Sequence, residues 1–149
     1  SGRQRFNVLG AVDAVTKEIF TITNETYITA DSVCLLLTKI ATRYAGELIT
    51  LVLDNARYQK CDLVLRHAAA LNIELLYLPS YSPHLNLIER LWRFVRHDCL
   101  YSKYYPKFDG FKQALTDCLQ NAHTQHRDEL ETLLAWNFQS FAKVKISTV

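Results

Sequence analysis

The chain has 149 residues, of which 49% are hydrophobic and 21% charged, and its formal net charge is +2. That length supports a single domain with a sizeable core, and the composition is that of an ordinary globular protein, with no internal repeat, low-complexity tract or linker. No apolar run approaches the roughly 18–20 residues of a membrane span, the first residues do not read as a signal peptide, and so small a net charge confines any nucleic-acid surface to a local patch.

Residues 6–12 predict a strand, with Phe6, Val8, Gly10 and Val12 on one face at the two-residue period. Asp13 to Lys17 predict a turn, and the β-branched and aromatic run 18–23 predicts the returning strand of a hairpin. Thr29 is a suitable cap for a helix over 30–44, whose apolar stripe is Val33, Leu36, Leu37, Ile40 and Tyr44. Gly46 stands where the chain would leave that helix. The unbroken apolar run Leu48–Leu53 predicts a central strand covered on both faces.

A second helix is expected over 58–71, with Leu63, Val64, His67 and Leu71 inward. A strand over 73–78 should lie parallel to its predecessor, because a helix connects the two. The run Pro79-Ser80-Tyr81-Ser82-Pro83 cannot continue a sheet and must form a loop. Asn86 is a good cap for a third helix to about Tyr101, with Ile88, Leu91, Trp92, Val95 and Cys99 buried. Residues 101–105 form an aromatic and basic connector. A helical C-terminal part spans about 107–140: one helix opens at Phe108 or Asp109 with Phe111, Leu115, Cys118 and Leu119 inward. Another runs from Asp128 to about Phe138 with Leu130, Leu133 and Leu134 inward. Residues 143–149 should fray or form a short edge strand. Helix–strand alternation before a helical end makes this an α/β layer architecture of one domain, residues 1–149.

The four cysteines, at 34, 61, 99 and 118, have no CxxC pair and no histidine spaced beside them as in a zinc site. Scattered use favours reduced thiols over a disulfide framework. His67, His84, His123 and His126 show no ligand-like pairing and read as structural or surface residues.

Two carboxylates stand out. Asp54 ends the central strand, at the edge of an α/β sheet where functional crevices lie. Glu89 falls in the first turn of the third helix, and thirty-four residues separate the two. Taken singly, Asp54-Asn55 is an ordinary Asx-turn and Glu89 a favourable first-turn acid or a partner of Arg93. Taken together they could share Mg²⁺, a hard cation that accepts one or two carboxylates plus water and phosphate oxygens. Phosphodiester chemistry commonly uses two such ions about 3.5–4 Å apart. Arg90, Arg93 and Arg96 on the same helix, with Lys103 and Lys107 beyond it, form a basic stripe suited to a phosphate backbone.

The stretch Leu78-Pro79-Ser80-Tyr81-Ser82-Pro83-His84-Leu85-Asn86-Leu87-Ile88-Glu89-Arg90-Leu91-Trp92 resembles the signature "LPxYSPxLNxIExxW" of DDE transposases of the mariner superfamily, bacterial insertion-sequence branch. Leu53-Asp54-Asn55-Ala56 is similar to the motif around that family's second catalytic acid, the spacing to Glu89 matches, and Asn7 to Ala11 looks like the strand preceding its hairpin. The resemblance covers residues 3 to about 115. It implies an RNase H-like mixed sheet flanked by helices, and metal-dependent cleavage of double-stranded DNA at transposon ends followed by strand transfer to target DNA. Two Mg²⁺ or Mn²⁺ ions would serve the complete site. By position, Asp54 and Glu89 would be the second and third catalytic acids and metal ligands. Asn55 would sit beside the metals, and Pro79, Ser82, Pro83 and Asn86 would shape the loop delivering Glu89. A homo-oligomer acting in the bacterial cytoplasm and at the nucleoid, with no membrane association, is implied as well.

This chain departs from the family in two places. Where the family commonly has a histidine just beyond the second acid, Tyr58-Gln59-Lys60 stand here. The family's first catalytic Asp lies on a strand upstream of the hairpin, so the chain is expected to begin after that strand and to be inactive alone. Asp13 falls at the turn instead. Two other readings are another RNase H-like nuclease and a non-enzymatic DNA-binding or oligomerising remnant.

Overall fold

The computed structural model describes residues 4–100, 103–134 and 146–148, the side chains of Pro83, Cys99 and 146–148 apart. The hairpin forms as read, from β1 (Asn7–Asp13) and β2 (Ile19–Asn24), paired antiparallel with Val12 opposite Ile19. Its turn is held by the Asp13 carboxylate, whose Oδ1 accepts the Val15 N–H at 2.8 Å and the Thr16 N–H at 3.0 Å. Helix α1 (Ala30–Arg43) starts at Thr29, whose N–H donates to Ser32 Oγ at 3.1 Å. Gly46, with φ +80°, supplies the left-handed turn that leads the chain away from it.

Strand β3 (Ile49–Leu53) is buried throughout and pairs in parallel with β4 (Ile73–Tyr77) across α2 (Asp62–Ala70). Helix α2 starts four residues later than expected, because 58–61 form turns, and Leu63 is consequently exposed while Val64 and Ala68 face inward. A 3-10 turn (Pro83–Leu85) leads into α3 (Leu87–Val95), which widens to a π turn over Arg96–Leu100 instead of continuing as an α-helix. Helices α4 (Phe108–Gln125) and α5 (Arg127–Leu133) follow. The expected continuation of the last helix to Phe138 lies outside the described residues.

The short strand β5 (Ile146–Thr148) corrects an expectation. It lies at the centre of the sheet, not at an edge, in the order β2-β1-β5-β3-β4, antiparallel to β1 and parallel to β3. The sheet divides two cores. On one face Leu9, Ala11, Leu51 and Leu53 pack with Val33, Leu36, Leu37 and Ile40 of α1 and Val64 of α2. On the other, Val12, Val8 and Phe6 pack with Leu87, Ile88 and Leu91 of α3, Leu115 and Leu119 of α4 and Leu130 of α5. Alternation along β1 thus feeds both layers, and Gly10 falls where the Trp92 ring crosses the strand. Cys34 and Cys61 are free thiols, whereas Cys118 is disulfide-bonded, contrary to the expectation of reduced cysteines throughout.

Candidate active site

Asp54 is the first residue beyond β3 and is half-buried. The Leu78 N–H donates to the Leu53 carbonyl at 2.9 Å, carrying the parallel pairing one step past β4. The chain then leaves the sheet at Pro79, which has no N–H to continue the ladder. Pro79, Ser80, Tyr81 and Ser82 therefore face Asp54, Asn55 and Ala56 across a cleft of about 290 Å³. The Leu85 N–H donates to the Ser82 carbonyl at 3.1 Å, closing the turn that contains Pro83 and delivers the chain to Asn86.

Asn86 is fully buried and bridges two elements. Its Oδ1 accepts the Ile88 N–H at 3.2 Å, capping α3, while its Nδ2 donates to Asp54 Oδ1 at 3.0 Å. Glu89 lies in the first turn of the same helix, its N–H donating to the Asn86 carbonyl at 3.2 Å, and is half-buried. Glu89 does not line the cleft; its connection to Asp54 runs through Asn86. Tyr58 stands four positions beyond Asp54. Burial, and secondarily the negative charge of Asp54, hold its phenol above the ordinary value.

Asp13 sits at the other end of the sheet. Because β1 runs antiparallel to β5, and β5 parallel to β3, the carboxyl ends of β1 and β3 point in opposite directions. The Asp13 carboxylate also accepts a hydrogen bond from the Tyr44 hydroxyl. Burial opposes its ionisation, but the bonds from Tyr44, Thr16 and Val15 outweigh that and keep its carboxyl below the usual range. It is a turn-building acid, not a partner of Asp54.

Arg93, Arg96, Lys103 and Lys107 are exposed, with Arg96 folded onto the Trp92 carbonyl at 3.3 Å and Lys103 onto the Asp98 carbonyl at 3.2 Å. Arg90 is half-buried and its guanidinium reaches the Leu133 carbonyl at 3.5 Å, so it ties α3 to α5. In the connector, Tyr105 and Phe108 pack on Phe111 with centroids 6.0 and 6.2 Å away, while Tyr104 stands exposed.

One cluster has no counterpart in the sequence reading. His126 lies 3.3 Å from Asp98 Oδ2 through Nε2 and 3.4 Å from Glu129 Oε1 through Nδ1. Ligand atoms of the three residues all lie within 4.8 Å of one another. The packing of the π turn against the α4–α5 junction brings Asp98 to the local His126–Glu129 pair, and only that pair has a short spacing in the sequence.

A five-stranded mixed sheet with helices on both faces, and an acid at the carboxyl end of an inner strand tied to the cap of a later helix, constitute an RNase H-like fold of the integrase and transposase type. The chain belongs to the DDE superfamily endonuclease family, whose model matches residues 1–112. Among solved structures it is similar to a chain of the simian T-cell lymphotropic virus intasome, determined by cryo-electron microscopy in complex with PP2A regulatory subunit B56 gamma. The two share 12% identity at a TM-score of 0.52, over 95% of this chain and 57% of that one. No curated protein matches.

Proposed function

We propose that the chain is the catalytic domain of a transposase of the mariner superfamily, bacterial insertion-sequence branch, and that Asp54 and Glu89 serve metal-dependent DNA strand cleavage and transfer. The observation that carries this is the Asn86–Asp54 hydrogen bond, which couples the acid after β3 to the helix bearing Glu89. Family membership supports the nuclease class.

The donor set suits a hard divalent cation, Mg²⁺ or Mn²⁺. Asp54 Oδ1 is fixed by Asn86, which leaves Oδ2 for a ligand, and Glu89, on the helix that Asn86 caps, would supply the second carboxylate. Such a cation supplies charge stabilisation at the phosphate and a more acidic bound water. The protein's own work is positional. Asn86 orients the Asp54 carboxylate, as a hydrogen-bonding partner behind a metal ligand commonly does. The Pro79–Ser82 loop shapes the cleft, Asn55 adds an amide beside Asp54, and Arg93, Arg96, Lys103 and Lys107 offer cations to the backbone of double-stranded DNA, as at transposon ends and target. Arg90 serves the α3–α5 contact instead.

Cleavage of a labelled transposon-end duplex with Mg²⁺ or Mn²⁺ by the complete protein tests this. Asp54→Ala and Glu89→Ala should each abolish cleavage at unchanged DNA affinity, and normal cleavage by either variant would sink the assignment.

A further inference from the structure

Tyr81 is placed at the lip of the Asp54 cleft in an unusual way. Its side chain is 99% exposed, so the ring contributes nothing to either core. Its backbone φ is +60°, a region that bulky side chains seldom occupy and that asparagine or glycine would adopt with less strain. A large aromatic ring is thus held in water, on a rare backbone conformation, by a loop that also lines the cleft with Asp54, Asn55 and Ala56. Neither packing nor turn geometry calls for tyrosine at this position. Exposed Arg57 follows the cleft residue Ala56 directly in the chain.

We propose that Tyr81 is a stacking platform for an unpaired nucleobase next to the phosphate presented to Asp54. The inference rests on the nuclease reading above and specifies its substrate: DNA whose strand end is unpaired or frayed at the cleft. A flat ring free on both faces suits a base whatever its identity, since every base has a π-face. A paired base inside a duplex is already stacked and offers no face to it. Placing the platform on the loop that borders the acid fixes the displaced nucleotide relative to the carboxylate, and exposed Arg57 offers a cation to an adjoining phosphate.

The test uses two fluorescein-labelled DNAs, one fully paired and one with a three-nucleotide single-stranded end carrying 2-aminopurine, in EDTA so that cleavage does not compete. Anisotropy reports affinity and 2-aminopurine emission reports stacking. Wild type and Tyr81→Phe should quench the 2-aminopurine and bind the overhang DNA alike. Tyr81→Ala should lose the quenching and bind that DNA about ten- to a hundredfold more weakly, the range expected for one base–aromatic stack, with affinity for the paired duplex unchanged. Equal quenching and affinity in Tyr81→Ala and wild type would overturn the platform while leaving the nuclease reading intact. If wild type binds neither DNA, both fall. Circular dichroism of each variant separates lost stacking from lost folding.

Discussion

Asn86 holds the Asp54 carboxylate with the same side chain that caps α3: its Nδ2 donates to Asp54 Oδ1 at 3.0 Å and its Oδ1 accepts from the Ile88 N–H at 3.2 Å. The residue is fully buried, so each bond replaces one that water cannot supply. Asn86→Ala should cost about 0.5–2 kcal/mol for the cap alone. It should also weaken Mn²⁺ binding roughly tenfold or more by freeing Asp54 to turn. Asn86→Asp keeps the cap acceptor but sets a buried carboxylate against Asp54, and should be the less stable of the two at neutral pH. Urea unfolding, with Mn²⁺ titration followed by electron paramagnetic resonance, would check both. An Asn86→Asp protein as stable as wild type would contradict the geometry.

Gly10 makes room on the sheet for the Trp92 indole of α3. A β-carbon there would stand 2.8 Å from both Trp92 Cζ2 and Trp92 Cη2, so the indole or the strand must move. Gly10→Ala should lose about 1–3 kcal/mol and shift the Trp92 emission. In a Trp92→Leu background the same substitution should cost much less. Additive losses in that double-mutant cycle would show that the indole is not what confines the site to glycine.

Asp13 should shape the acid limb of stability. Its carboxyl titrates lower in the folded protein than in the unfolded chain, so the unfolded state binds more protons across that interval. The contribution is fully present above the ordinary aspartate pKa of about 3.9 and disappears as pH falls through the lower, folded value. Tyr44→Phe removes the hydroxyl that donates to Asp13 and should reduce the loss of stability between about pH 5 and pH 3. Chemical unfolding at several pH values would measure it. An acid limb unchanged in Tyr44→Phe would mean that the backbone donors of Val15 and Thr16 suffice.

The parts of the fold legible in the sequence are those encoded by neighbours in the chain. The hairpin, the α1 stripe, the buried run of β3 and the Asn86 cap each follow from a few adjacent residues, and α1 buries the expected Val33, Leu36, Leu37 and Ile40. Asp54 could be placed because a strand end and a proline-rich loop are both local signals. Departures occur where distant segments decide. The start of α2 depends on the turns at 58–61, which reverse the expected placement of Leu63. The π turn after Val95 brings Leu100, five residues on, against the second core, a spacing that the α-helical period does not anticipate. Arg90 looked like one of a row of cations, yet α5 offers it the Leu133 carbonyl. Glu129 is a local neighbour of His126, but Asp98 meets it only once the π turn packs against the α4–α5 junction.

The position of β5 has a consequence for how the protein is made. Among the described residues the β1–β2 hairpin and the β3–β4 pair share no hydrogen-bonded seam of their own; residues 146–148 join them. On a ribosome the first hairpin and the later parallel pair can each gather beside their helices as they emerge, but the sheet stays in two halves until this segment is released. Pairing residues as distant in sequence as Val12 and Thr148 is slow relative to local pairing. The interval leaves the inner edges of β1 and β3 open, the nascent state in which strands of neighbouring chains most readily pair.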